Sequence, residues 1–544
     1  MERQNESRID PIVFWVAAAI AAAFVAWGVF LPDNLYAVSN AVLNDFLIPN
    51  FGWVFILASI AFVAFSLYLA FSRFGVIKLG AQDEEPEFST VSWVAMMFSA
   101  GMGIGLMFYG VAEPMSHMSA PPGGLEKANS LGAAQTAMEY SYFHWAFHPW
   151  AIYAVLGLAL AYFTFRKGMP NLISTAFYPL LGDRIYGPIG KAIDILAIFA
   201  TLFGSATSLG LGAIQMRGGL HYLSDAVPNS GPSGTTVALI IIGVLTLAFV
   251  LSAISGVHKG IQWLSNTNMV LAVLLVLFLF IAGGAVFILN TFAESLGGYL
   301  ANFVTMSFRT TAFFNDPSFL SSWTIYYWAW WISWAPFVGT FIARISRGRT
   351  IREFVIGVIL VPSLVSMVWF AIFGGAAIGL ALDGTIDAAT IAGTPETSLF
   401  AVLNQFPLAT VTSLIAIILV AFFFVSGADA ASVVMGMLSS NGVIHPRRWT
   451  VVTWGVLTGA VAAICLLSGG LTGLQYAAII SGGPFVIVLI ALCFSLFKAL
   501  NSEPEMSAEP RTAPEPGRAM SRPSGAPSPQ QMSGDSPEQG GRSN

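Results

Sequence analysis

Apolar stretches of spanning length recur along this chain, near residues 11–31, 51–72, 90–112, 139–165, 188–216, 236–256, 260–290, 322–344, 353–381, 406–437, 448–469 and 473–498. Wound as a helix, about 20 apolar residues cross the hydrocarbon core of a bilayer. Lipid offers no partner to a backbone N–H or C=O, so such stretches have to satisfy their own hydrogen bonds as helices. The pattern predicts an all-α polytopic membrane protein with 12 transmembrane helices. Only 9% of the side chains are charged, against about a quarter in soluble domains. Several stretches are longer than needed, which implies tilt or protrusion.

Lysine and arginine orient the chain. With the N-terminus inside, the inner connections carry Arg73, Lys78, Arg166, Lys167, Arg184, Lys191, Lys259, Arg344, Arg347, Arg349, Arg352, Arg447 and Arg448. The outer ones carry only Lys127, Arg217 and Arg309. This asymmetry requires an even number of spans and puts both termini in the cytoplasm. Residues 1–10 are then a cytoplasmic tail and 11–500 a membrane domain. Residues 501–544, with eight prolines among Ser, Gly, Gln and Glu, form a tail that cannot bury a core and is expected to be disordered. Residues 291–316 mix apolar and polar positions and read as an amphipathic helix on the outer surface, or as a plain loop. Cys465 and Cys493 sit in apolar runs and imply no disulfide framework.

The chemistry concentrates at WAWWISWAPF, residues 328–337. At about 100° per residue, Trp330, Trp331 and Trp334 fall within about a third of a helix circumference, with Trp328 a further step round. A quaternary ammonium has no proton to donate but is drawn to the negative faces of aromatic rings. Packing or interfacial anchoring is the plainer alternative. The fourth stretch supplies a second group, Trp145, Trp150 and Tyr153, spread over about 140° of one face. His144 and His148 lie opposite, suited to polar contacts with neighbouring helices. As an i, i+4 pair they could begin a zinc site, but no third ligand is nearby in sequence.

Gly101, Met102, Gly103 and Gly105 interrupt the third stretch. Each glycine weakens a helix by about 1 kcal/mol relative to alanine. Such backbone is tolerated in lipid where it packs closely on another helix, or where it unwinds to line a cavity and offers free N–H and C=O groups to ions. Pro336 is expected to break the eighth stretch in a comparable way. The third to seventh and eighth to twelfth helices then form two sets of five with opposite topology, the pattern of inverted-repeat transporters. The first two helices are an added pair. Thr201 and Ser205 stand one turn apart in the fifth stretch; such hydroxyls bond the preceding turn or serve as hard ligands for an alkali cation. Asp429 is an intramembrane carboxylate and a functional or network candidate. Asp194 near a helix end reads as structural.

The segments FSAGMGIGLMFYGVAEP, FHWAFHPWAIY, TLFGSATSLGLGA, WAWWISWAPFVGTFIARISRGRTIREF and FVSGADAAS together resemble the betaine/carnitine/choline transporter family over nearly all twelve helices. They are closest in motif to its sodium-coupled glycine betaine and ectoine carriers. The resemblance implies a leucine-transporter-like 5+5 inverted-repeat fold, commonly a homotrimer, in a bacterial cytoplasmic membrane. It implies an aromatic box of Trp145, Trp150, Tyr153, Trp330, Trp331 and Trp334, with Gly101 to Gly105 facing the substrate carboxylate and Ser208 as a polar contact. It also implies two sodium sites. One uses carbonyls of Ser99, Met102 and Phe423 with the Ser426 hydroxyl; the matching pair here is Ser426-Gly427, where sodium-coupled relatives have two hydroxyl residues. The other uses Thr201 and Ser205, with Phe337 facing the ion. No Arg or Lys in these cores replaces sodium, so sodium is the expected coupling ion and no other cofactor is implied. Choline carriers tend to hold a carboxylate where this chain has Gly105, so a zwitterion is expected, glycine betaine before ectoine.

The expected partners are this solute and the bilayer, with no nucleic acid. No nucleophile–base motif points to an enzyme. The rivals are a sodium-independent substrate:product exchanger, a proton-coupled choline or carnitine carrier, and an intramembrane metalloenzyme built on His144 and His148. The tail after Asn501 has four arginines against six acidic residues and does not resemble the long basic helix of osmotically regulated relatives. Truncation after Ala499 is therefore predicted to leave uptake and its osmotic response intact in a cell-based uptake assay; loss of the response would assign the tail a sensing role.

Overall fold

The computed structural model describes residues 9–101, 103–255 and 258–504. Met102 and the tail residues 1–8 and 505–544 lie outside the described residues. The chain divides into two units, Met1–Asn501 and Ser502–Asn544; of the second, only residues 502–504 are described. Among the described residues every regular element is helical, apart from one isolated bridge between Lys78 and Thr350.

The principal helices are α1 (Pro11–Phe30), α2 (Ile48–Phe71), α3 (Thr90–Gly101), α4 (Ile104–Ser119), α5 (Leu131–Trp145), α6 (Phe147–Ala161) and α7 (Pro188–Leu223). They continue as α8 (Gly231–Ser255), α9 (His258–Ala282), α10 (Ala285–Ser307), α11 (Tyr326–Ile345), α12 (Ile351–Leu382), α13 (Ala409–Leu438) and α14 (Arg448–Asn501). The twelve apolar stretches overlap these helices without matching them one to one: those at 90–112, 139–165 and 260–290 each cross from one helix into the next, and those at 448–469 and 473–498 share α14. Among the described residues, eight helical stretches are long and apolar enough to cross a bilayer, or nine if α9 and α10, bent by 101°, form one span. The chain is a multi-pass membrane protein.

Local chemistry sets the ends. Asp10 caps α1, accepting from the amides of Ile12 and Val13, and pairs with Lys191 at 2.8 Å. Burial pushes its carboxyl up, but the lysine and the two amides together hold it below its ordinary value. Thr350 and Glu353 form a capping box at the start of α12. The segment before α3 is pinned to the one before α12: Leu79 and Gly348 exchange amides and carbonyls with Arg349 and Leu79, and Arg344 and Arg347 pair with Glu87 and Glu84.

Burial separates centre from periphery. The most apolar window of Leu131–Arg166 is 94% buried and that of Pro188–Leu223 is 78% buried, whereas Pro11–Phe30 and Gly231–Ile254 reach 28% and 22%. The centre therefore contains α5, α6 and α7, with α11 packed against α6 and α7. The α6–α11 approach is close because Gly157 and Gly339 face each other. A Cβ on Gly339 would lie 3.1 Å from both Gly157 N and Leu156 Cβ.

Four expectations need correction. α11 is unbroken through Pro336. The proline withholds one N–H, from the Ile332 carbonyl, yet the helix continues through it where it is packed against α6 and α7. The break instead falls at Ala146 (φ −105°, ψ −112°), between α5 and α6. Pro149 causes it, since a proline ring clashes with the carbonyl four residues earlier, here that of Trp145. The glycine break is narrower than Ser99–Gly105: α3 runs through Gly101, Gly103 is extended and α4 starts at Ile104. The helix expected over 291–316 occupies Ala285–Ser307, starting from left-handed Gly284 (φ 87°), and buries Ile288, Ser295, Tyr299 and Met306 on one side.

Two further details follow. The last two apolar stretches run through the 54-residue α14, which leaves helical geometry at Gly469 and Gly470. Leu500 is buried and Arg73 donates to Asn501 at 3.0 Å, so a cut that removes the tail alone falls after Asn501 rather than Ala499. Replacing Gly339 with leucine should force α6 and α11 apart and cost about 1–3 kcal/mol, the usual penalty of overpacking. Thermal unfolding of the detergent-solubilised protein checks this; an unshifted midpoint would rule out the close backbone contact.

Candidate functional site: an aromatic cavity beside a broken helix

The six aromatic residues singled out from the sequence line one cavity. α5 contributes Trp145 from its last position. α6 contributes Trp150 and Tyr153. α11 contributes Trp330, Trp331 and Trp334. Gly103 and Gly105 beside the break, and Ser208 of α7, complete the wall together with Pro149, Val338 and Ser366, among others. Trp145 and Trp150 were placed on one face by assuming a continuous helix. The break at Ala146 removes that assumption, yet both reach the same cavity.

The rings are packed at aromatic contact distances. Trp330 and Trp331 stack with centroids 4.7 Å apart, and Trp145 meets Trp331 edge-on at 4.8 Å. Trp150 and Tyr153 meet at 5.4 Å, and Trp334 lies 6.4 Å from Trp330. The indole N–H groups mostly point away from the cavity. Trp145 donates to Glu113 at 2.7 Å, Trp331 to the His144 carbonyl at 3.0 Å and Trp330 to the Gly204 carbonyl at 3.3 Å. Trp334 Nε1 has no hydrogen-bond partner among the described residues. Trp328 faces elsewhere and stacks on His148 at 4.8 Å. A chamber walled by ring faces attracts a cation that cannot donate a proton.

A second cavity shares Gly103, Ser208, Trp334 and Val338 with the first. It is lined by Ser205, Phe337, Phe423, Ser426 and Gly427, so most of the residues expected around sodium are brought together. Ser205 Oγ has no partner among the described residues. Ser426 donates to the Phe422 carbonyl at 2.8 Å. Thr201 is buried one turn before Ser205, donates to Ala197 O at 2.9 Å and does not line the cavity. Ser99 lies in α3, with its side chain outside the described residues, as is all of Met102. Asn268 of α9, which the sequence did not single out, also lines this cavity; its Oδ1 has no partner among the described residues.

Sequence reasoning also missed Glu113 in α4. It is fully buried and meets His144 Nδ1 at 2.7 Å and His117 Nε2 at 3.3 Å, besides Trp145. The signal was available: an ionisable residue inside a spanning segment is a functional candidate by default. The His144–His148 pairing does not form a site. His144 turns to Glu113 and Thr324, and His148 to Ser307. Asp194 holds the amide and hydroxyl of Ser174, a structural tie. Asp429 is half-buried in α13.

Gly105 leaves room for two indoles. A Cβ there would lie 2.7 Å from Trp145 Cη2 and 3.0 Å from Trp330 Cη2. Gly105→Ala should displace both rings and weaken binding of a trimethylammonium ligand by about 1–3 kcal/mol, about 5- to 150-fold. Quenching of tryptophan fluorescence by the ligand measures this; unchanged affinity would place the ligand away from these rings.

Residues 12–505 match the model of the betaine/carnitine/choline family transporter. The glycine betaine transporter OpuD of Bacillus subtilis is 51% identical over 90% of this chain and 94% of its own length. The betaine/ectoine transporter LcoP of Corynebacterium glutamicum is 41% identical over 92% of this chain and 79% of its own. The ectoine/hydroxyectoine transporter of Virgibacillus pantothenticus is 41% identical over 93% and 99%. With a match this extensive the protein is a transporter, not an enzyme, and the chain belongs to the betaine/carnitine/choline transporter family.

Proposed function

We propose that the protein takes up a zwitterionic, quaternary-ammonium-type compatible solute, glycine betaine first and ectoine second, by sodium symport with alternating access. The observation that carries this is the convergence of six aromatic residues from α5, α6 and α11 on one cavity beside the Gly103–Gly105 backbone. The ammonium group sits against the rings and the carboxylate meets the backbone at the break, where the N-terminus of α4 begins. The names of the relatives support the same class of cargo.

In this proposal the twelve apolar stretches are twelve spans, residues 11–500 form the transport domain, and the third to seventh and eighth to twelfth spans are the two repeats. Both termini face the cytoplasm of a bacterial cell whose inner membrane holds the protein, as a homotrimer. The second cavity, lined also by Phe341 and Ala430 on the inner halves of α11 and α13, is then the path to the cytoplasm. On the opposite side Tyr109, Trp323, Tyr326 and Tyr327 pack together, with Tyr109 donating to the Tyr326 hydroxyl at 3.3 Å. On this reading the arrangement is inward-open.

Sodium is assigned to two places, one at Ser99, Met102, Phe423 and Ser426 and one at Thr201, Ser205 and Phe337. A hydroxyl that donates to a carbonyl keeps lone pairs for a cation, so the bond from Thr201 to Ala197 does not disqualify it. Sodium and solute each raise the other's affinity by the same factor. The weak point of the first place is Gly427. It has no hydroxyl, and a Cβ there would meet nothing within 4 Å.

The test is uptake of radiolabelled glycine betaine into proteoliposomes under an inward sodium gradient and, separately, a proton gradient. Accumulation with sodium alone is expected. Gly427→Ser, which adds an oxygen without a clash, should lower the sodium concentration giving half-maximal uptake. Accumulation without sodium would replace symport by proton coupling, and uptake only into solute-loaded vesicles would replace it by exchange.

A further inference from the structure

Glu113 is a buried carboxylate that the transport scheme does not use. Its Oε2 accepts from Trp145 Nε1 at 2.7 Å and from the Tyr327 hydroxyl at 2.6 Å. Its Oε1 lies 2.7 Å from His144 Nδ1 and 3.3 Å from His117 Nε2. Four groups from three helices thus converge on two oxygens in α4. An indole N–H donates and never accepts, and an ionised carboxylate accepts and never donates. With its proton on Nδ1, His144 donates to Glu113 and receives the Thr324 hydroxyl on Nε2, 3.0 Å away.

Each partner leads to the aromatic cavity. Trp145 is part of its wall. Tyr327 lies parallel to Trp331, with centroids 5.7 Å apart and planes 8° apart, and is stacked on Trp330 at 6.3 Å. The backbone carbonyl of His144 receives the N–H of Trp331. One carboxylate therefore fixes the planes of three wall tryptophans, one directly, one through a stacked phenol and one through that phenol and a carbonyl. An anion accepting the indole N–H also enriches the ring in electron density, which strengthens its pull on a cation.

We propose that Glu113 is a positioning residue for the cation-binding wall, holding Trp145, Trp330 and Trp331 in the orientation that presents their faces to the ammonium group. This rests on the reading of the cavity as a quaternary-ammonium site. Glu113, His117 and His144 also offer three ligand atoms within 4.8 Å of one another. A metal on Oε1 would need the lone pair of His144 Nδ1, the atom whose proton is donated to that oxygen at 2.7 Å, so the hydrogen-bonded carboxylate is the better account.

The test is a double-mutant cycle with Glu113→Gln and Trp145→Phe, reading glycine betaine affinity by fluorescence titration and KM and kcat by proteoliposome uptake. Losing hydrogen bonds to a charged group weakens function by about ten- to hundredfold. Glu113→Gln should raise Kd and KM by about tenfold with kcat little changed, and the combined variant should lose less than the product of the two single effects. Unchanged affinity, multiplicative effects or a stoichiometric bound transition metal would each overturn the proposal. Tyr327→Phe, which keeps the carboxylate, supplies the measurement if Glu113→Gln does not fold, and should raise Kd several-fold. If the wild-type protein binds no betaine, the cargo assignment fails. Positioning is then read from the Trp145 indole N–H resonance of nitrogen-labelled protein without ligand. It should move upfield in Glu113→Gln, and an unmoved resonance would sink the proposal.

Discussion

A tryptophan holds its face toward a cation most firmly when its N–H is engaged somewhere else. Left free, the indole would turn its edge to whatever acceptor lay in the cavity, or pay for an unmet donor in a dry interior. The centre of this molecule is built around that requirement. Trp145, Trp330 and Trp331 each send the N–H outward, to a carboxylate in α4, a carbonyl in α7 and a carbonyl in α5. Those acceptors come from three different helices, so the tight packing of α4, α5, α7 and α11 is a condition of the wall as well as a source of stability. Trp334 keeps a buried N–H without a partner among the described residues, and it is the wall tryptophan that borders both cavities.

α7 links the aromatic wall to the hydroxyl-lined cavity. The Gly204 carbonyl receives Trp330 at 3.3 Å and Ser208 at 3.4 Å, and Ser205 follows it in sequence. Gly204 is also where α11 comes closest, since a Cβ there would lie 2.6 Å from Ser333 Oγ and 2.7 Å from Trp334 Cδ1. A displacement of α7 by an ion at Ser205 would therefore act on Trp330 through a backbone carbonyl, with no flexible side chain between them. This is a short physical route by which two ligands that never touch can alter each other's affinity.

Much of this was legible in the sequence because the signals were compositional. Long apolar runs leave few choices but helices, and clustered tryptophans and alternating glycines stand out in them. What was not legible depended on contacts between segments. Pro336 and Pro149 look alike in sequence, yet only the second breaks its helix. Around Pro336 the helix is packed between α6 and α7 and continues unbroken. Before Pro149 the chain relieves the clash at Ala146. Glu113 could be flagged from its place inside a spanning segment, but its role could not be read, because three of its four partners lie 31 to 214 residues away. His144 and His148 make the polar contacts to neighbouring helices that their pattern suggested, but the break between them, which the spacing did not show, turns each to its own partners.

That break at Ala146 has a consequence for how such a site changes over time. Trp145 ends one rigid rod and Trp150 and Tyr153 begin another, so one wall of the chamber is divided by a joint. The width of the chamber is then set partly by the angle between two rods, and substitutions far along either rod can alter that angle. Preference for a bulkier or slimmer cargo can drift while every lining residue stays the same.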